Sequence, residues 1–182
     1  MDKAQKRVAK KSLVAIGALS GIAALLLAIG LVIYAIFPTS FFTIYGDSMN
    51  PYFKNGNVGI LLESSHLKKG DIVFFDRPPG WTKKDNNDVF VKRVVAIPGD
   101  TLSYNGTQLL VDGKIVFDFQ ADHYTCSHKA PYSHVLSSSE LFAMGDNYSN
   151  SLDSRYMFCN GGENFYINTN TVLKSGRVLL KV

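Results

Sequence analysis

The sequence predicts a mostly β domain that follows a single N-terminal transmembrane helix. Three observations support this: one long uncharged segment near the N-terminus, later runs rich in β-branched and aromatic residues, and clusters of Gly, Pro, Asn and Asp between those runs. The β-rich part contains about 145 residues, which is enough for one domain. We expect a single coiled antiparallel sheet, a pair of such sheets, or a partly open barrel.

The N-terminal region has two parts. Residues 1–12 carry five basic side chains and one acidic side chain, and residues 13–37 then contain no charge over 25 positions. A helix of this length spans roughly 37 Å, more than the bilayer core of about 30 Å. The segment is too long for the apolar part of a cleaved signal peptide, about 7 to 15 residues. We therefore predict a cytoplasmic tail at 1–12, an uncleaved anchor at 13–37 and an extracytoplasmic domain at 38–182 of a single-pass cell-membrane protein.

The distribution of charge argues against nucleic-acid binding. The chain carries a formal net charge of +4, and residues 1–12 account for all of it. The remaining 170 residues hold 14 basic and 14 acidic side chains, so they offer no basic surface for DNA or RNA. No Cys and His cluster has metal-ligand spacing, and we expect neither a metal nor another cofactor.

Short strands and tight turns dominate the predicted domain. Asn105-Gly106 and Asp112-Gly113 are the strongest hairpin signals. Residues 137–142 suggest one helical turn, and residues 83–88 read as an exposed polar loop. The clearest predicted strands are 71–75, 89–97, 108–111 and 177–180.

Ser48 is a candidate nucleophile. It follows an extended segment and precedes a turn at residues 49–51. If that segment is a strand, then Phe42, Ile44, Gly46 and Ser48 project from one face, since alternate residues share a face. This would place an apolar groove beside a hydroxyl group. An ordinary turn serine is the alternative interpretation.

Lys92 is a candidate general base. It interrupts the apolar strand 89–97, with Phe90 and Val94 beside it on one face and Arg93 on the other. Apolar neighbours disfavour an ammonium group and are expected to lower the pKa of Lys92. A neutral lysine can accept the proton of a serine hydroxyl. The alternative is a lysine on an edge strand, where it discourages aggregation.

Residues 144–155 form a polar loop that is expected to support the site. Ser151 is predicted to hydrogen-bond Lys92 and direct it at Ser48. Asp153 is predicted to pair with Arg155, with Arg93 or with both, which would fasten the loop to the lysine strand. A surface salt bridge, worth about 0 to 1 kcal/mol, is the alternative. No histidine has an apolar setting with a nearby acid, although spacing alone does not exclude a Ser-His-Asp triad; the four are His66, His123, His128 and His134.

Four blocks, together with the anchor, resemble type I signal peptidases, the membrane-anchored serine proteases that remove signal peptides from exported proteins. The blocks are residues 46–51, 69–75, 91–100 and 145–155. The resemblance implies a mostly β catalytic core without a cofactor. Its partners would be precursor proteins with signal peptides and the lipid bilayer, and cleavage would follow small residues at positions −1 and −3.

The resemblance also implies a role for each matching residue. Ser48 would be the nucleophile, Lys92 the general base and Ser151 the residue that orients the lysine. The remaining matches would form an ion pair (Asp153, Arg155 and Arg93), shape the supporting loop (Gly145, Asp146 and Asn147) and line the substrate pockets (Phe42, Ile44 and Val91).

Some positions depart from the family pattern. Gly46 stands where many relatives have a serine whose hydroxyl helps to stabilise the oxyanion, so the Ser48 N–H would carry more of that work. Tyr52, Tyr148 and residues 156–162 also differ. These departures suggest a specialised peptidase, for example for pilin or conjugation-apparatus precursors. They also suggest the second hypothesis, a catalytically inactive membrane-anchored β domain that binds a partner in an export or conjugation apparatus.

The two cysteines, Cys126 and Cys159, both lie in the predicted extracytoplasmic part. An oxidising compartment permits a disulfide between them. A loop of this size would stabilise the fold by about 3 to 4 kcal/mol in a chain-entropy description. Two free thiols are the alternative, because the sequence does not give the distance between them.

Overall fold

The computed structural model describes residues 3–36, 38–81, 88–128, 130–162 and 164–182. The chain divides into two compact units, Met1–Thr39 and Ser40–Val182. The first unit contains helix α1 (Lys3–Ile36). Within α1, Leu13–Ile36 has a mean hydropathy of 2.6 and is long and apolar enough to cross a membrane. The predicted N-terminal apolar helix is thus confirmed, while Met1, Asp2 and Phe37 lie outside the described residues.

The rest of the described chain contains eleven strands, one short α-helix and two 3-10 helices, Tyr148–Asn150 and Thr169–Thr171. Helix α2 spans Ser154–Cys159. The strands are β1 (Thr39–Thr43), β2 (Val58–Glu63), β3 (Ile72–Asp76), β4 (Val89–Ala96), β5 (Thr101–Tyr104), β6 (Gln108–Val111), β7 (Lys114–Asp118), β8 (Tyr132–Val135), β9 (Glu140–Met144), β10 (Ile167–Asn168) and β11 (Val172–Lys181).

The strands form two sheets. Seven strands build the larger one in the order β1-β2-β11-β3-β4-β9-β10, and four build the smaller one in the order β7-β6-β5-β8. Strand pairing is antiparallel from β2 to β10 in the larger sheet and throughout the smaller one. The predicted antiparallel, mostly β domain is confirmed. Of the predicted arrangements, the chain adopts the pair of sheets, because it leaves the larger sheet after β4, builds β5 to β8, and returns as β9.

Strand β4 follows the predicted alternation. Its even-numbered positions are buried and its odd-numbered ones are exposed or half-buried, so Phe90, Lys92 and Val94 share one buried face. In register, Lys92 lies opposite Val73 of β3, and Arg93 lies opposite Met144 of β9. Since β4 is flanked by a strand on each side, the alternative interpretation of Lys92 as an edge-strand lysine is wrong.

The structure differs from the sequence prediction at residues 137–142 and at helix α2. Residues 137–142, predicted to contain a helical turn, lead into strand β9 instead, because Leu141 and Ala143 pack in the buried core. Helix α2 was not predicted, although Asp153 caps it by accepting a hydrogen bond from the Tyr156 N–H. Asp followed by a short mixed run is a recognised helix start. Most of the predicted loop 83–88 lies outside the described residues, which resume at Asp88.

Candidate active site

Ser48 lies in a turn rather than on a strand. Strand β1 ends at Thr43, so the predicted strand does not reach the serine. Gly46 has a φ of 84°, a left-handed conformation that glycine adopts without steric penalty and that bends the chain away from the sheet. The turn is held by a 2.7 Å hydrogen bond from the Phe53 N–H to the Met49 carbonyl. Both of those side chains are fully buried, which anchors the turn against the sheet.

Lys92 reaches Ser48 across the sheet. Its Nζ donates to Ser48 Oγ at 2.8 Å and to the Val91 carbonyl at 2.9 Å. The lysine is only 2% exposed, and its Nζ lies 5.5 Å from the centre of the Phe90 ring. Two residues that are 44 positions apart in sequence therefore meet in an apolar setting.

The loop after β9 holds the backbone of Ser48. Asn147 donates its N–H to the Ser48 carbonyl and its Nδ2 to the Asp47 carbonyl, each at 3.0 Å. A Cβ on Gly145 would overlap both Ser151 Oγ and the Ser48 carbonyl oxygen. Glycine is thus the residue that lets the loop pack this closely against Ser48.

Asp153 and Arg155 form a completely buried ion pair, as the sequence predicts. Arg155 Nη2 donates to Asp153 Oδ2 at 2.8 Å, and both side chains are 0% exposed. The same carboxylate oxygen accepts the Gly145 N–H at 2.9 Å. Arg155 Nη2 also donates to the Tyr148 carbonyl at 3.0 Å. The ion pair therefore holds Gly145 and Tyr148, the two ends of the loop segment that contacts Ser48.

Arg93 does not join this pair. It donates to Asp146 through Nε at 2.9 Å and Nη2 at 2.7 Å, which makes a bidentate ion pair. These hydrogen bonds raise the pKa of the Arg93 guanidinium. The prediction of an Arg93–Asp153 contact is wrong because Arg93 projects from the face of β4 opposite Lys92, where Asp146 is the adjacent carboxylate.

The predicted hydrogen bond between Ser151 and Lys92 is not formed. Ser151 is buried, and its Oγ has no hydrogen-bond partner among the described residues. The hydroxyl instead lies against Gly145, while the lysine Nζ is directed at Ser48 and the Val91 carbonyl. Ser151 therefore packs against Gly145 of the same loop.

A cleft of about 340 Å³ contains both Ser48 and Lys92. Ile44 and Val91 line it, as expected for substrate contacts. Phe42 does not; it is buried and lines a different pocket, with its ring centre 5.4 Å from that of Phe74. Sequence reasoning missed several lining residues, which come from three different segments and share no local pattern: Phe74, Val89, Asn150 and Leu152.

None of the four histidines lines this cleft. His134 contacts Glu140 at 2.7 Å, and His128 packs 4.5 Å from the Phe158 ring. Within the described part of the chain, no group of three or more His, Cys, Asp or Glu side chains could hold a metal ion. Cys126 and Cys159 are joined by a disulfide with a Cα–Cα distance of 4.6 Å.

Comparisons with known proteins agree on one family. The sequence profile of the family described as "Signal peptidase, peptidase S26" matches residues 17–178. Signal peptidase I V of Bacillus subtilis strain 168 is 31% identical over 137 residues, covering 63% of this chain and 74% of that protein. Signal peptidase IB of Staphylococcus aureus strain Mu50 is 32% identical over 135 residues, covering 63% of this chain and 66% of that protein.

One similar solved structure is a signal peptidase I from Enterococcus faecalis V583. It is 20% identical, with a TM-score of 0.40, and the match covers 64% of this chain and 98% of that one.

Proposed function

Because this chain belongs to the signal peptidase family, peptidase S26, we propose that it is a membrane-bound serine endopeptidase that removes N-terminal signal peptides from exported precursor proteins. The observation that carries the proposal is the 2.8 Å contact between Lys92 Nζ and Ser48 Oγ inside the cleft. A nucleophile and a base within hydrogen-bond reach are the minimum for acyl transfer. Ser48 and Lys92 form the catalytic dyad in this proposal.

Lys92 acts as the general base. Burial disfavours its charged form, and a neutral amine takes the hydroxyl proton as Ser48 Oγ attacks the scissile carbonyl carbon. The tetrahedral intermediate collapses to an ester on Ser48, and the proton on Lys92 passes to the departing amine. A water molecule then attacks the ester. Lys92 takes a proton from that water and returns it to Ser48 Oγ, which restores the enzyme.

The backbone N–H of Ser48 is the proposed donor to the developing oxyanion. Gly46 supplies no hydroxyl near that position, in contrast to the serine expected from the family resemblance. One missing donor costs about 2.7 to 4 kcal/mol of transition-state stabilisation in well-studied proteases. We therefore expect slower turnover than in relatives with two donors, and a gain of rate in Gly46→Ser if the left-handed backbone tolerates the change.

The walls of the cleft suggest the preferred substrate. Ile44, Phe74 and Val91 leave an apolar space of modest size beside Ser48. Such a space fits a peptide with small side chains at positions −1 and −3. The apolar helix and the basic residues before it favour a cytoplasmic N-terminus and an extracytoplasmic catalytic domain in the cell membrane. The partners are then signal-peptide precursors and the lipid bilayer.

The direct test is cleavage of a precursor with an Ala-X-Ala site by full-length protein in detergent or liposomes. Wild type should cut after the −1 residue, and Ser48→Ala should not. Ser64→Ala, which removes a hydroxyl outside the cleft, is the matched control and should retain activity. A serine-reactive covalent probe, located by mass spectrometry, should label Ser48.

Other outcomes would redirect the proposal. Cleavage by both wild type and Ser48→Ala would place the nucleophile elsewhere. Folded wild type that neither cleaves nor labels would favour the alternative, a catalytically inactive anchored domain that binds a partner in an export or conjugation apparatus. Gly46 and the unusual residues 156–162 are the sequence features that favour this alternative.

A further inference from the structure

Aromatic rings surround the buried guanidinium of Arg155. Its central carbon lies 4.7 Å from the ring centre of Phe117, 5.1 Å from that of Tyr124 and 5.7 Å from that of Tyr148. The Nε and Nη1 atoms of Arg155 are buried without a hydrogen-bond partner among the described residues. The faces of the rings therefore supply the attraction that acceptors would otherwise provide. We call Phe117, Tyr124 and Tyr148 the aromatic box.

A disulfide holds one wall of the aromatic box. Tyr124 lies in irregular backbone between β7 and β8, two residues before Cys126. Cys126 is bonded to Cys159, the last residue of α2, and the Ser127 N–H donates to the Cys159 carbonyl at 2.9 Å. These two links join the Tyr124 segment to the helix whose first turn contains Arg155.

The aromatic box connects to the nucleophile through a continuous set of contacts. Arg155 donates to Asp153 at 2.8 Å, and the same carboxylate oxygen accepts the Gly145 N–H at 2.9 Å. Gly145 packs directly against the Ser48 carbonyl oxygen. That carbonyl also accepts the Asn147 N–H at 3.0 Å. A displacement of Arg155 would thus move the backbone that holds Ser48.

We propose that the Cys126–Cys159 disulfide and Tyr124 are positioning elements of the catalytic loop, and that full turnover requires the disulfide. The inference rests on the proposed peptidase activity. Its consequence is that the enzyme reaches its full rate only on the thiol-oxidising side of a membrane. Tyr124, Cys126 and Cys159 do not line the cleft, so their loss should lower kcat and leave KM nearly unchanged.

The test compares full-length variants in detergent, with rates expressed per active site after covalent titration of Ser48. Tyr124→Leu removes one wall of the box and keeps the disulfide. Cys126→Ala/Cys159→Ala removes the disulfide and keeps the ring. Each should lower kcat between about tenfold and a hundredfold, the range that small misplacement of reacting groups produces. Tyr124→Phe keeps a ring over Arg155 and should restore most of the rate.

Phe165→Leu is the matched control. Phe165 packs in the same large aromatic cluster, with its ring 5.3 Å from that of Phe158, and it is not one of the three rings of the aromatic box. It should lower the Tm without changing kcat per titrated site. Combining Tyr124→Leu with the double cysteine variant should give less than the product of the separate effects, since both act through Arg155. Dithiothreitol should slow the wild type and leave the double cysteine variant unaffected.

Unchanged kcat per titrated site in both Tyr124→Leu and the double cysteine variant would overturn the inference. A decrease in kcat per titrated site equal to that of Phe165→Leu would also overturn it, because such a decrease would indicate lost stability alone. Amide hydrogen exchange of residues 145–147 gives a readout that does not depend on catalysis; it should accelerate in both variants. If wild type neither cleaves nor labels, the proposed function fails, and the exchange rates still decide whether the disulfide positions the loop.

Discussion

Lys92 and Arg155 are both buried basic side chains, and they differ in the groups that their nitrogen atoms contact. Lys92 is 2% exposed, and its Nζ contacts a hydroxyl and a backbone carbonyl. Arg155 is 0% exposed, and its Nη2 contacts the carboxylate of Asp153. The Arg155 guanidinium donates to a carboxylate and anchors the loop, whereas the Lys92 amine donates to the hydroxyl of the proposed nucleophile.

The difference between Lys92 and Arg155 explains why one domain contains two buried basic residues of different types. The structural cation must be the type that does not deprotonate, and its charge must be balanced where the loop is anchored. The proposed general base must be the type whose protonation can change. Each substitution below changes Lys92, a carboxylate partner of an arginine, or the loop that packs against Ser48.

Lys92→Met removes the proposed base and should have the largest effect. We expect a loss of about 10⁴-fold in kcat/KM, which corresponds to about 5.4 kcal/mol of activation free energy. Stability should be unchanged or higher, since an apolar side chain of similar length fills the buried position. Lys92→Arg should be equally inactive, because arginine stays protonated. Measurable turnover by Lys92→Arg would show that charge, rather than proton acceptance, is what this position supplies.

Asp153→Asn removes the carboxylate and leaves Arg155 buried. Breaking a buried pair in this way should lower the free energy of unfolding by about 3 to 5 kcal/mol. Asparagine can still cap α2, so the change isolates the ion pair from the helix cap. Urea unfolding of the variant and wild type measures the difference. A loss below about 1 kcal/mol would mean that the aromatic box alone stabilises Arg155.

Gly145→Ala forces a methyl group between the loop and Ser48. Overpacking at a buried site should cost about 1 to 3 kcal/mol of stability. Because the added Cβ overlaps both Ser151 Oγ and the Ser48 carbonyl, the second change Ser151→Ala should relieve only part of that cost. Unfolding and cleavage measured on the single and double variants test this. Full recovery of cleavage by Ser151→Ala would mean that the Ser48 carbonyl accommodates the methyl group.

Asp146→Asn weakens the second arginine pair and should have the smallest effect. The Arg93 and Asp146 side chains are 29% and 20% exposed, so water screens their interaction far more than that of Asp153 and Arg155. We expect a loss of about 0 to 1 kcal/mol in urea unfolding, decreasing further in high salt. A loss as large as that of Asp153→Asn would contradict the distinction between the two pairs.

Much of the fold follows from local patterns. Two-residue periodicity placed Phe90, Lys92 and Val94 on one buried face, as observed. The dipeptides Asn105-Gly106 and Asp112-Gly113, predicted as hairpin turns, lie between β5 and β6 and between β6 and β7. The prediction of a strand through Ser48 was wrong because Gly46 adopts a left-handed backbone conformation. Neighbouring residues alone do not determine that conformation.

The sequence by itself determined the apolar helix, the antiparallel β domain, the inward direction of Lys92 and an ion pair between Asp153 and a nearby arginine. These depend on residues close together in the chain, where spacing sets which side chains can meet. Only the tertiary structure decided that Arg93 pairs with Asp146, that Ser151 packs on Gly145, and that Cys126 joins Cys159 beside the aromatic box. Those contacts join segments from different strands and loops, and only the path of the chain through both sheets decides which of them come together.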